Sequence, residues 1–281
     1  MTKRILAAAL ALGCSSLLST AATAQDGLRV ALDGTFAPHA MPSLSGGVEG
    51  FNVDLANLIA ERLGTTIQID AAQFSGLIPA MQAGTYDFLV APTTVTAERA
   101  ENMLFTEGFM DTNFTFVQLA DSPAGTSIED YRGKSLAVNK GSAYESYLND
   151  LADEYDLTVT AYGTSTDAVE AVITGRAYAS LAGSTTSAWA VKKNPRLELG
   201  AEIDTGLVWA LPFRKDDAEN RNRIDAAIEC LKSDGSLAEL SEKWFGVTPA
   251  AGSTIVTPTP GYGVPGFPGY EDTAHDVTCD L

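Results

Sequence analysis

The chain has 281 residues, 45% of them hydrophobic, and a formal net charge of −18 at pH 7. That length builds two ordinary domains with cores of their own. So acidic a surface repels phosphate backbones and anionic membrane faces, which argues against nucleic acid as a partner.

At the N-terminus Lys3 and Arg4 precede an apolar run to Leu18, and Ala22-Thr23-Ala24 supplies small residues for cleavage. This reads as a secretory signal removed after Ala24, with export to the periplasm; lipid anchoring at Cys14 is the alternative. Loss of two cations takes the net charge from −18 to about −20. Two cysteines then remain, Cys230 and Cys279. In an oxidising compartment they are expected to form a disulfide, because Cys230 falls off the helical stripe of Ile224, Ile228 and Leu231 and is free to meet a crossing segment.

Leu28-Arg29-Val30-Ala31-Leu32 alternates as a strand and Asp33-Gly34-Thr35 ends it. Phe36, Pro38 and His39 follow in a loop expected to face a cleft. Asn52 is placed to cap a helix whose Leu55, Leu58, Ile59 and Leu63 share a face until Gly64 stops it. Ile67 and Ile69 mark a second strand; Ser75 is placed to cap a helix through Gln82 that tolerates Pro79. A strand over 87–90 completes a βαβαβ order, which predicts a parallel sheet covered by helices.

At the carboxyl end of that strand lies Ala91-Pro92-Thr93-Thr94-Val95-Thr96-Ala97-Glu98-Arg99. Ligands of open α/β sheets sit at such ends, where helix N-termini converge with unpaired donors. Thr96 can cap the turn carrying Arg99, and Thr94 with the guanidinium suits a two-pronged grip on a carboxylate.

The pattern then begins again. Strands are expected over 114–119, 136–138, 157–161 and 177–182, with helices starting near Ser127, after Gly141-Ser142-Ala143, and over 167–174 and 184–192. Residues 206–213 read as one apolar strand, followed by the helix of Ile224, Ile228 and Leu231. Ser236-Leu237-Ala238-Glu239 reads as a capping box opening a last helix with Leu237, Leu240 and Trp244 on one face. Beyond Gly246 the chain is rich in Pro and Gly without periodicity, an irregular tail.

Several segments, in order, resemble the bacterial extracellular solute-binding proteins of family 3, the polar amino-acid-binding receptors of ABC importers. They are Asp33-Gly34-Thr35-Phe36-Ala37-Pro38, Gly50-Phe51-Asn52-Val53-Asp54-Leu55-Ala56, Gly76-Leu77-Ile78-Pro79-Ala80-Met81, Thr94-Val95-Thr96-Ala97-Glu98-Arg99, and Asp234-Gly235-Ser236-Leu237 with Lys243-Trp244-Phe245. The resemblance implies an α/β, type II-like, two-lobed periplasmic binding protein, each lobe a helix-covered mostly parallel sheet, hinged on two crossing strands near 114–116 and 207–209. It divides the chain into a signal peptide (1–24), a first lobe (25–116 and 206–247), an inserted second lobe (117–205) and a tail (248–281).

The family's contacts to a ligand α-carboxylate fall, by this resemblance, on Arg99, Thr94 and the Gly141-Ser142-Ala143 turn. Phe36 and Phe74 fall on positions that cover the ligand, or are plain core. Pro92 replaces a small residue whose carbonyl accepts from a ligand ammonium, a mild change because its own carbonyl survives, whereas Gly183 stands where an Asp pairs with that ammonium. A carboxylate ligand without a free α-ammonium is implied, or one whose ammonium meets another acid such as Asp33 or Asp204. The implied partners are this small carboxylate or amino-acid-like ligand and the membrane subunits of an ABC importer, the protein itself being a monomer.

Two rival readings stay open. An enzyme has little to work with: His39 and His275 are the only histidines, and no zinc-ligand spacing or Gly-Lys-Ser phosphate loop exists, so neither catalytic residue, metal nor cofactor is assigned. His39 is instead taken as a ligand-contacting or merely exposed imidazole, although a few relatives of the fold are dehydratases. The other rival is an accessory protein with a degenerate clamp, docking through residues 258–270.

Overall fold

The computed structural model describes residues 27–123 and 125–279. The expected signal peptide and Cys14 lie outside them. The first lobe opens with β1 (Leu28–Leu32), a hairpin of β2 (Met41–Pro42) and β3 (Val48–Glu49), α1 (Phe51–Arg62), β4 (Ile67–Ala71) and α2 (Phe74–Gln82). It continues through β5 (Phe88–Leu89), β6 (Thr93–Thr94), α3 (Ala97–Asn102), β7 (Leu104–Phe105) and β8 (Met110–Asp111). The second lobe holds β9 (Phe114–Leu119), a 3-10 turn over Ile128–Tyr131, β10 (Ser135–Asn139), α4 (Ala143–Tyr155), β11 (Thr158–Tyr162), α5 (Ser165–Ile173), β12 (Ala179–Gly183), α6 (Ser184–Lys193) and β13 (Leu197–Ile203). The chain returns to the first lobe with β14 (Val208–Ala210), β15 (Pro212–Phe213), α7 (Ala218–Ser233) and α8 (Ser236–Phe245).

Each lobe is built on a five-stranded sheet, β4-β1-β5-β15-β7 in the first and β11-β10-β12-β9-β13 in the second. In each, four strands run the same way and one, β15 in the first and β9 in the second, lies antiparallel between its two neighbours. Phe51, Leu55 and Ile59 of α1 are fully buried at a four-residue spacing, the stripe that turns the helix onto the core. Asn52 is not its cap. The helix is capped by Gly50 at φ 147°, where a Cβ would strike the His39 carbonyl, and Asn52 lies inside the first turn.

Four further differences from the sequence reading have local causes. Strand β13 was not anticipated, because a bulge between Leu199 and Glu202 breaks its alternation. Residues 206–213 form two short strands in different sheets, β14 joining β6 and β8 while β15 joins β5 and β7. Ser236 opens α8 behind a left-handed Gly235, and Asp234 Oδ1 accepts from the Ser236 N–H at 2.9 Å, so the expected capping box does not form. Strand β9 belongs wholly to the second sheet, between β12 and β13, so the chain crosses at Thr112 and Asn113 and not at 114–116. The crossing is tied to the return segment by Thr112 N–H to Leu207 O (2.9 Å) and Thr205 Oγ1 to Thr112 O (2.5 Å).

The tail is held down, not loose. Along α7, Arg221, Asp225, Glu229 and Lys232 form a buried charged stripe at i, i+4, i+8 and i+11. Arg221 donates to Gly269 O (3.0 Å) and pairs with Glu271; Asp225 accepts from the Gly263 N–H (2.7 Å). Glu229 meets His275 at 2.9 Å, and Lys232 donates to Thr257 O (3.1 Å) while pairing with the buried Glu107 at 2.8 Å. Cys230 and Cys279 are joined by a disulfide.

Candidate functional site

Two chain reversals meet between the lobes. In the first lobe Val90 to Pro92 leaves the end of β5 and enters β6, whose partner β14 is antiparallel. Val95 N–H bonds to Val208 O at 3.0 Å, so the alternation of an antiparallel ladder turns the Thr94 N–H and C=O away from β14. Thr96 then caps α3 by accepting from the Arg99 N–H at 3.3 Å, which starts the helix where Arg99 lies one turn above Thr94. In the second lobe β10 ends at Asn139, Gly141 reverses the chain at φ 79°, and Ser142 caps α4 by accepting from the Glu145 N–H at 3.2 Å. The first-turn amides of α4 have no intrahelical acceptor and form a positive end.

Four hydrogen bonds join the lobes around this point. Arg99 donates to Thr94 O (2.9 Å) within its own lobe and to Gly141 O (3.0 Å) across the gap. Asn139 donates to Asp33 (3.0 Å), the Ser165 N–H to Thr35 Oγ1 (3.2 Å), and His39 Nε2 lies 2.7 Å from Thr185 Oγ1. A Cβ on Gly141 would come within 3.1 Å of Ser75 Cα, so the approach of the second lobe to α2 needs glycine there. The lobes are closed.

Between them is a small cavity, part of it opening to solvent. Phe36, Phe74, Pro92, Thr94 and Arg99 line it from the first lobe, Ser142 and Ala143 from the second. The Arg99 guanidinium lies 5.7 Å from the Phe74 ring centroid, and no carboxylate of the described residues is within ion-pair distance of it. Desolvation pushes it below its ordinary value, opposed by Tyr144 and Glu98, and it keeps its charge. Its two hydrogen bonds to carbonyls leave further N–H donors of the fork without a partner among the described residues. An uncompensated, half-buried cation beside a helix N-terminus is chemically an anion receptor.

Two of the expected residues lie elsewhere. His39 is fully buried, its Nδ1 2.9 Å from Asn52 Oδ1, in a box of Trp209, Phe51, Phe36 and Phe245 rings. Burial, outweighing the Asn52 hydrogen bond, lowers its pKa to about 4. Gly183 is also off the cavity, because a side chain on it would run into Trp209, whose Cη2 would be 2.6 Å from its Cβ, and Tyr144, whose hydroxyl would be at 3.0 Å. Asp204 is exposed at the return crossing.

Three polar groups line the cavity that the family motifs did not assign as contacts: Asp33, Asn139 and Tyr144. Burial raises the Tyr144 phenol well above its usual range, so it stays protonated. A position at the carboxyl end of a strand was the available signal for Asp33 and Asn139 alike. No group of three or more His, Cys, Asp or Glu placed to hold a metal occurs among the described residues.

Residues 28–247 match the model of the bacterial extracellular solute-binding proteins, family 3. The lysine/arginine/ornithine-binding periplasmic protein of Escherichia coli (strain K12) is 26% identical over 253 residues, which cover 87% of this chain and 97% of that protein. An ancestral arginine-binding protein bound to arginine superposes with a TM-score of 0.76 at 29% identity, over 79% of this chain and 100% of the other. An ancestral amino acid-binding protein, a precursor of cyclohexadienyl dehydratase, superposes with a TM-score of 0.72 at 27% identity, over 78% of this chain and 95% of the other.

Proposed function

Since this chain belongs to the bacterial extracellular solute-binding proteins of family 3, we propose that it is an exported periplasmic receptor that captures a small carboxylate-bearing solute, an amino acid or a related compound, and delivers it to an ABC importer. The observation that carries this reading is Arg99, a cation without an acid partner that touches both lobes at once. A carboxylate laid on its fork also meets the Thr94 edge and the α4 N-terminus around Ser142 and Ala143, with Pro92, Phe36 and Phe74 closing over its body. Contacts drawn from both lobes exist only when the lobes are shut, so binding favours the closed state by its differential affinity. The importer's membrane subunits then recognise that closed shape, and the protein acts as a monomer.

No reaction is assigned. The cavity holds no nucleophile beside a base, and His39, the one histidine near it, is walled off and neutral at physiological pH. Arg99→Met keeps the aliphatic stem and removes the fork. Affinity for the carboxylate ligand should fall by at least a hundredfold in calorimetric titration, corresponding to about 3 kcal/mol for leaving a desolvated anion unpaired. A fold preserved in circular dichroism with unchanged affinity would remove the basis of this reading.

A further inference from the structure

The cavity contains one cation, Arg99, and one acid, Asp33. Asp33 is 3% exposed and fully engaged: Oδ1 accepts from the Thr35 N–H (2.9 Å) and hydroxyl (2.6 Å), Oδ2 from Asn139 Nδ2 (3.0 Å) and the Phe74 N–H (3.3 Å). A carboxylate offers about four lone-pair positions, so none remains for a ligand ammonium. The remaining wall is largely apolar, from Phe36, Phe74, Ala91 and Ala143.

Of the polar groups in this wall, Thr94, Ser142, Tyr144 and Asn139, the last has an unused acceptor. Asn139 is 5% exposed, lines the cavity, and its amide orientation is set because Asp33 can only accept, which leaves Oδ1 as the end without that partner. That oxygen is buried and accepts from no protein group among the described residues. A buried acceptor without a donor is destabilising until one arrives. A hydroxyl satisfies it without bringing charge, whereas an ammonium would bring a desolvated charge whose remaining protons find no open acceptor on Asp33.

We propose that the ligand is a small hydroxycarboxylic acid, its carboxylate on Arg99 and the α4 N-terminus and its hydroxyl donating to Asn139 Oδ1. This rests on Arg99 being the carboxylate anchor. The test is calorimetric titration of the mature protein with matched triplets, L-phenyllactate, L-phenylalanine and 3-phenylpropionate, and L-lactate, L-alanine and propionate, with L-arginine and L-glutamine alongside. The hydroxy acid of at least one triplet should bind tenfold or more tighter than its amino counterpart. Asn139→Leu also removes a closure bridge to Asp33 and so should weaken both acids, the hydroxy acid about tenfold more than the unsubstituted one. An amino acid binding more tightly than its hydroxy counterpart, with both lost in Arg99→Met, overturns this inference and leaves the anchor standing; so does an equal loss of hydroxy and unsubstituted acids in Asn139→Leu. Failure of every compound to bind, or binding indifferent to Arg99→Met, overturns the anchor and the inference together.

Discussion

His39 is neutral because of what surrounds it: the Trp209 ring centroid is 4.8 Å away and those of Phe245, Phe36 and Phe51 lie within 6 Å. Its pKa falls from 6.5 to about 4, so between these values the unfolded chain takes up a proton that the folded one refuses. The sign follows from linkage: the stability associated with a neutral His39 is complete above pH 6.5 and is lost as pH falls towards 4, by up to about 3 kcal/mol. His39→Gln retains hydrogen-bonding capacity and removes the titration. Urea unfolding at pH 7 and pH 4.5 should show a loss of about 2–3 kcal/mol from this group in the parent protein and a flatter acid limb in the variant; an equally steep limb would place the acid sensitivity elsewhere. The same environment explains why a loop histidine between Pro38 and Gly50, which the sequence places facing a cleft, is buried instead. Its neighbours come from Trp209, Phe245 and Thr185, distant in sequence and invisible to any local pattern.

At the scale of elements, α7 does two jobs. Ile224, Ile228 and Leu231 bury its apolar side, while Arg221, Asp225, Glu229 and Lys232 present a charged stripe on which the tail lies. Burial raises both Asp225 and Glu107, the latter against the pull of its partner Lys232. Such a stripe, each member within 3% of complete burial, is stable only with its partners in place. Lys232→Met should therefore cost about 3–5 kcal/mol in denaturant unfolding by stranding Glu107, and Glu107→Gln added to it should restore much of the loss. Additive losses in the double variant would mean that the pair is not coupled. The off-stripe phase of Cys230 was readable in the sequence, and the charges lie in its helix. What they hold was not, because the tail has no periodicity and is shaped by turns that side chains elsewhere receive.

For the whole molecule, closure is distributed over four bridges, and that from His39 to Thr185 lies outside the cavity. Removing it tests closure apart from ligand contact. Thr185→Val should reduce the closed fraction and weaken affinity about 5- to 10-fold, since apparent affinity scales with the competent population. Small-angle scattering should find the unliganded variant more expanded than the parent and the saturated forms alike. Weakened binding with no change in the unliganded shape would contradict that account.

Local patterns in the sequence determined the two α/β units, the strand ends at which ligands collect, the Thr96 cap beneath Arg99 and the Gly141-Ser142 start of α4, because each depends on contacts within a few residues. Tertiary structure decided the rest. It put β9 and β13 in one sheet, sent His39 into an aromatic box, filled the space beside Gly183 with Trp209 and Tyr144, and left Asn139 Oδ1 buried without a donor among the described residues. Burial and hydrogen-bond saturation arise from groups tens to hundreds of residues apart meeting in space, and no local spacing encodes that meeting.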